Sequence, residues 1–229
     1  MNEFQNDLSE VAALLGDRSR SVMLWNLMDG GSHTATELSI CADISPQSAS
    51  NHLAKLVDAG ILRIRRQGRY RYYSLASSEV AHVMESIATL LPSKADQAVE
   101  CGTGRSGITY ARTCYDHIAG KVGVAITESL VRNGLISPSG ENYTVTDRGK
   151  GWFSSMGLDI DEIKSQRRSF ARQCLDWSER KPHLAGALGS SLLQTILKRN
   201  WARKTRLSRE LLITASGKSG LMDALKLEI

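Results

Sequence analysis

Apolar residues recur at helical spacing through most of this chain, and the period shortens towards that of a strand in only a few places. The clearest helical stretch follows Ser45. Ala49, Leu53 and Leu56 fall on one face, while Gln47, Ser48, Ser50, Asn51, His52 and Lys55 fall on the other. Ser45 is placed to cap this helix and Pro46 to fill its first turn, where no backbone N–H is needed. Just upstream, Thr36 is expected to cap a shorter helix with Leu38, Ile40 and Cys41 facing a core; Cys41 reads as packing rather than as a ligand. Two short helices joined by a tight turn, with hydrogen-bonding side chains on the second, predict a helix-turn-helix. Gly60 ends the second helix. Ile61 to Arg66 and Arg69 to Leu75 then read as strands hinged at Gln67-Gly68.

Helical spacing returns over residues 79–91, where Val80, Val83, Met84, Ile87, Leu90 and Leu91 form a stripe. With Leu8, Val11, Leu14 and Leu15 of an N-terminal helix, this stripe is the expected seam of a homodimer, and Glu79, His82 and Glu85 are its expected exposed face. Residues 93–109 are rich in Gly, Ser and Thr and read as a linker. Beyond them the chain repeats itself. Ala111-Arg-Thr-Cys-Tyr-Asp116 recurs as Ala171-Arg-Gln-Cys-Leu-Asp176, and His117-Ile-Ala-Gly120 recurs as His183-Leu-Ala-Gly186. Tyr143 to Gly149 then matches Leu211 to Gly217, so one unit is used twice at an offset of about 60 to 68 residues. Each copy reads as helix, helix, then a strand pair. In the first copy the second helix covers Ile118 to Asn133, Gly134 stops it, and strands are expected at Leu135-Ile136 and Tyr143 to Thr146 around a turn at Pro138 to Gly140. The helices over Val122–Val131 and Leu188–Leu197 are apolar and suit a core rather than a nucleic-acid groove. The expected class is therefore mainly α with small β-wings (α+β). A winged helix-turn-helix over 1–92 precedes, after the linker, a duplicated winged-helix-like domain over 110–229, with copies at about 110–160 and 170–229.

Charge sharpens this picture. Five arginines and no acid fall within residues 63–71, the predicted hairpin. Like charge concentrated on one hairpin gains nothing unless an anion meets it, so Arg65, Arg66, Arg69 and Arg71 are expected to meet phosphates or a minor groove. The net +5 does not come from this region. Residues 1–92 hold 8 Lys+Arg and 10 Asp+Glu, whereas residues 93–229 hold 21 and 14. The second surplus could help grip DNA, but reads better as an ordinary solvated surface. Four cysteines are too few for a disulfide framework, and the start carries neither a basic nor an apolar leader segment. No run reaches membrane-spanning length. A soluble cytoplasmic protein is expected, with no membrane partner.

Residues 8–92 resemble the ArsR-type winged-helix regulators. The resemblance is carried by Leu14-Leu15-Gly-Asp-Arg-Ser-Arg20, Thr36-Glu-Leu, Ser45-Pro-Gln-Ser-Ala-Ser-Asn-His-Leu-Ala-Lys-Leu56, and Gly68-Arg-Tyr-Arg-Tyr-Tyr-Ser-Leu75. It implies a homodimer that binds an inverted-repeat operator in double-stranded DNA and represses until an unknown effector weakens the complex. Gln47, Ser48, Ser50, Asn51, His52 and Lys55 are then the expected readers. The metal sites usual in the family are mostly missing. Its Cys-x-Cys falls here on Ser39 and Cys41, and residues 77–91 lack the Asp-x-His of the zinc type.

One other constellation carries chemistry. Cys114, Asp116 and His117 recur as Cys174, Asp176 and His183, a donor set for a soft or borderline metal or a reactive thiol beside Arg112 and Arg172. On a helix Cys114 and His117 share a face, and Arg112 braces Asp116. In the second copy nine positions separate Cys174 from His183, so ligand spacing is not kept along the chain. A buried, inert Cys with an Arg–Asp brace fits as well. Gly102-Thr-Gly-Arg-Ser-Gly107 has the G-x-G-x-x-G pattern, but no strand precedes it and it reads as linker. No nucleophile–base motif appears, so no enzyme is expected and no cofactor is required. The expected function is a DNA-binding repressor. The alternatives are a soft-metal (cadmium, lead or arsenite) or thiol-redox sensor acting through the C-terminal cysteines, and a ligand-binding or protein-interaction module that uses winged helices for contacts.

Overall fold

The computed structural model describes residues 3–91, 106–205 and 208–229, with the side chains of 3–6 and 106 left aside. Most of the expected linker, Cys101 and most of the Gly102–Gly107 pattern lie outside the described residues. The described chain forms two compact units, one up to Met84 and one from Glu85 on.

The first unit begins with α1 (Glu3–Gly16), α2 (Arg18–Asn26) and a 3-10 turn at Leu27–Asp29. Strand β1 (His33–Thr34), helix α3 (Ala35–Ala42) and helix α4 (Pro46–Asp58) follow, then β2 (Leu62–Gln67), β3 (Tyr70–Leu75) and α5 (Ser78–Ala88). The cap of α3 is Thr34, not Thr36. Its hydroxyl accepts from Glu37 N–H while Glu37 returns a carboxylate to Thr34 N–H at 2.7 Å, a reciprocal pair that needs an acid three residues on. Ser45 and Pro46 start α4 as expected. Leu38, Ala49, Leu53 and Leu56 are buried with Met23, Leu24, Leu27 and Met28 in one core. Ile40, expected in that core, is 70% exposed, and Cys41 is half-buried. The sheet runs β1-β3-β2, all antiparallel, and Gly68, in the left-handed region at φ 58°, turns the β2–β3 hairpin.

The second unit contains the repeat, but its elements differ from expectation. Each copy is hairpin, helix, hairpin, helix. The first copy is β4 (Arg112–Cys114), β5 (His117–Ala119), α7 (Gly120–Arg132), β6 (Ile136–Ser139), β7 (Asn142–Val145) and α8 (Asp147–Ser155), with α6 (Ser106–Tyr110) before it and α9 (Ile160–Lys164) after it. The second is β8 (Arg172–Leu175), β9 (Pro182–Ala185), α10 (Gly186–Lys198), β10 (Ala202–Lys204), β11 (Leu211–Ile213) and α11 (Ala215–Leu225). The Cys and His residues therefore sit on strands, not on a helix. Gly120 and Gly186 explain the break: at φ 77° and 79° they adopt a left-handed backbone, and α7 and α10 start there. A Cβ on either would lie 2.6 Å from a backbone carbonyl oxygen, of Thr109 or of Ser169.

The two copies exchange backbone hydrogen bonds reciprocally. Tyr143 N–H donates to Ala171 and Gln173 N–H to Glu141, so β7 extends the second copy's β8–β9 hairpin into a four-stranded sheet. At the equivalent places, Leu211 N–H donates to Ala111 and Thr113 N–H to Arg209. Each copy's second hairpin thus lies against the other copy's first. Between them lies a single core running from Ala111 and Ile118 through Leu130, Phe153 and Leu188 to Leu221. Burial of this many aliphatic side chains, each worth about 1.5–3 kcal/mol, holds the copies together before any polar interaction is counted.

Candidate nucleic-acid interface and a buried Cys–His centre

In the first unit, α4 turns Gln47, Ser50, Asn51 and Lys55 outward, while Ser48 and His52 are half-buried. Two of these side chains are held along the helix. Gln47 donates to Asn51 Oδ1 at 3.4 Å, and Ser50 bonds back to the Pro46 carbonyl at 2.9 Å. His52 is committed further. Its Nδ1 lies 3.1 Å from Arg20 Nη1 and 3.8 Å from Asp17 Oδ1, so it pins α4 to the start of α2 and offers less to a base edge than the sequence suggested. The hairpin carries Arg63, Arg65, Arg66, Arg69 and Arg71, all exposed. Arg63 donates to Ser74 Oγ at 3.0 Å, and Arg69 lies over the Tyr70 ring and donates to its hydroxyl at 2.8 Å. Arg66 pairs directly across the ladder with Arg71. Like charges opposite one another weaken a hairpin, so this pair is a local cost to the fold.

In the second unit the structure brings Cys114, His117, Cys174 and His183 together. One donor atom from each lies within 4.8 Å of all the others, and all four residues are buried. The pairing comes from strand register. Cys114 faces His117 across β4–β5, and Cys174 faces His183 across β8–β9, although the second hairpin's loop is longer. The nine-residue separation along the chain therefore does not break the set. The two imidazoles meet, Nε2 to Nε2, at 3.1 Å. Each presents its other nitrogen to a carboxylate: His117 Nδ1 is 3.6 Å from Asp116 Oδ1, and His183 Nδ1 is 3.5 Å from Asp176 Oδ2.

The expected Arg112–Asp116 brace does not form. Arg112, fully buried, donates to Glu85 at 2.9 Å and across to Asp176 of the other copy at 3.0 Å, with its guanidinium over the Trp177 ring. Asp116 pairs instead with Arg168, and Arg172 is exposed. Burial pushes the Asp176 carboxyl up, but Arg112, Ser178 and the Gly120 N–H outweigh it and hold the group well below the carboxylate range. Burial likewise opposes ionisation of Asp116, and the neighbouring His117 imidazole and the Arg168 guanidinium reverse that. Donation from Cys114 holds Cys174 low, helped by both histidines, and the same hydrogen bond holds Cys114 high. Glu85 corrects the sequence reading too: it is buried and accepts from Arg112, from Trp177 at 3.1 Å and from Arg209 at 3.2 Å. Nothing local singled out Glu85, Trp177 or Arg209. A buried acid must be paired, but its partners lie 27, 92 and 124 positions away.

An exposed polar reader helix beside an arginine hairpin defines a winged helix-turn-helix DNA-binding protein. Residues 15–65 match the helix-turn-helix domain family. Over 223 residues, 97% of this chain and 99% of the relative, the sequence is 41% identical to the uncharacterized HTH-type transcriptional regulator YdfF of Bacillus subtilis (strain 168). The chain belongs to the HTH-type transcriptional regulators, in the ArsR-like winged-helix form that its reader and wing resemble. Among solved structures, HlyU from Vibrio cholerae N16961 is 26% identical, with 39% of this chain and 97% of that one covered at a TM-score of 0.36. A homodimeric winged helix-turn-helix DNA-binding domain from Mycobacterium bovis is 22% identical, with 44% and 90% covered at a TM-score of 0.35. Among the described residues, no helix is long and apolar enough to cross a membrane.

Proposed function

We propose that this regulator is a homodimeric repressor of an inverted-repeat operator, read by α4 and gripped by the β2–β3 wing. The exposed Arg66–Arg71 cross-strand pair carries the reading, because the fold tolerates it at a cost that only a polyanion offsets. Dimerisation is supported by Leu8 and Val11 on α1, 59% and 41% exposed, and by Val83 and Ile87 on α5, 47% and 40% exposed. One reader helix covers one half-site; a two-fold pair covers two, about one helical turn apart. Control enters through the second unit, whose thiols and imidazoles suit a soft or borderline metal ion or an oxidant as effector.

Footprinting on the DNA upstream of the chain's own gene tests this. A protected inverted repeat with half-sites one turn apart is expected. Gln47→Ala should cost about 1–3 kcal/mol of discrimination at one base pair of each half-site. A monomeric mass with operator affinity intact, or unchanged specificity in the Gln47 variant, would remove the dimer or the reader assignment respectively.

A further inference from the structure

We propose that Cys114 Sγ, His117 Nε2, Cys174 Sγ and His183 Nε2 bind one Zn2+ ion in a closed tetrahedral shell, a resident clip between the two copies of the repeat. Geometry carries the inference. Zn–N bonds of about 2.0–2.1 Å and Zn–S bonds of about 2.3 Å set tetrahedral edges of about 3.3–3.8 Å between donors. The four donors already lie within 4.8 Å of one another, and the two Nε2 atoms are 3.1 Å apart. Donor chemistry agrees: two thiolates and two imidazoles are a zinc set, and the thiolates balance the ion's charge.

Histidine orientation is the second, independent observation. Both rings turn Nδ1 to a carboxylate, Asp116 or Asp176, and both Nδ1 atoms are buried without a hydrogen bond among the described residues. With the proton of each ring on Nδ1, beside its carboxylate, both Nε2 lone pairs are free for one ion lying between them; without an ion, a proton on one Nε2 makes the 3.1 Å contact an ordinary hydrogen bond. The same Asp–His arrangement orients ligands in zinc centres and raises their basicity. The residues buried alongside the two sulfurs are the small alanines Ala119 and Ala185. Zinc entry displaces the protons still held by the thiols to solvent, and sulfur lone pairs form the new bonds; no electron is transferred. With all four positions filled by protein and all four ligands buried, no coordination site remains for a substrate, which is the structural rather than the catalytic form.

The inference sharpens the reading of this centre as the point of control, and the test separates the two. The full-length protein is purified without chelator from zinc-supplemented cells. Metal content is measured, and the ion is exchanged for Co2+ as a spectroscopic probe. One zinc per chain is expected, and the cobalt form should show tetrahedral ligand-field bands with thiolate-to-cobalt charge transfer. Cys114→Ser with Cys174→Ser should lose the charge transfer and fall from one ion per chain to none. Substoichiometric zinc with an octahedral cobalt spectrum in the parent, a Cys114–Cys174 disulfide in its place, or full metal retention in the double variant would each overturn the site. Operator affinity is then compared between zinc-loaded and zinc-stripped protein. Equal affinities leave the zinc site standing and remove metal control. A metal-free parent whose operator binding still answers an oxidant does the reverse.

Discussion

Three short hairpins hold the chemistry of this chain, and they aim it in opposite directions. The β2–β3 wing points its arginines at solvent, with Arg66 facing Arg71 and little to neutralise them. The β4–β5 and β8–β9 hairpins turn their Cys and His residues inward, and β4 also turns in Arg112, which is met by Glu85 and Asp176, while each Cys is met by a His. An outward charge tolerates having no partner because water solvates it, and it stays available to an external anion. An inward charge has no water and must be satisfied within the fold. On the reading proposed above, the same element serves as a grip in one unit and as a lock in the other.

The hardest blow to this contrast falls on the lock. Arg112→Ala strips Glu85 and Asp176, both buried, of a shared cation, and should destabilise the second unit by about 3–5 kcal/mol. Arg172→Ala, at the equivalent but exposed place in the other copy, should stay within about 0.5 kcal/mol. Chemical denaturation of the two variants measures the difference. Equal effects would mean that Arg112 is not a hub of this unit.

Next come the glycines. Gly120→Ala and Gly186→Ala each force a left-handed backbone on a residue whose Cβ meets a carbonyl oxygen at 2.6 Å, and each should cost about 1–3 kcal/mol. Gly68→Ala in the wing has the same sign of φ, but nothing within 4 Å of a new Cβ. It should cost only the backbone strain of about 1–2 kcal/mol. Melting curves that rank Gly68→Ala as the most damaging would refute the tight packing of the inward hairpins.

The grip was far more legible in the sequence than the lock, for a physical reason. Reader and wing are specified locally. Ser45 caps α4, Pro46 opens it, Ala49, Leu53 and Leu56 keep the helical period, and the arginines crowd within nine residues. The centre is specified by pairing across strands and between copies. The repeat revealed that the Cys and His residues are duplicated, but separation along the chain is not what aligns them. Register is, and a longer loop between Leu175 and Pro182 leaves Cys174 opposite His183 all the same. The helical reading of Arg112 to His117 failed because spacings of three and four also occur across a tight hairpin, and Gly120 was the local sign that the helix starts later. Asp116 and Asp176 diverged for the same reason. The short turn keeps Asp116 near the surface with Arg168, whereas the longer loop folds Asp176 inward to cap Ser178 and Glu179 and to receive Arg112.

Two effects on the wing should be smaller, and they sharpen its half of the comparison. Replacing Arg65 and Arg69 together by Ala should lower the salt dependence of operator binding by about 0.9 in slope for each phosphate no longer neutralised. Titration at several salt concentrations measures this. A weaker affinity with unchanged slope would mean that these side chains act through folding rather than on phosphate.

The finest discrimination comes from Arg71→Ala alone. In the free protein Arg71 opposes Arg66 across the ladder, both exposed, so removing it relieves repulsion and should stabilise the first unit slightly, by about 0.2–1 kcal/mol at low salt. In the complex the same side chain meets the polyanion, so removal should weaken binding to specific and nonspecific DNA alike. The two effects have opposite sign, and both shrink as salt screens them. A side chain kept for the fold would show the same sign in both measurements: a less stable protein that also binds less well. A side chain kept for DNA shows a more stable protein that binds less well. Thermal melting at low salt, set beside DNA affinity in the same buffer, decides which of the two this hairpin holds.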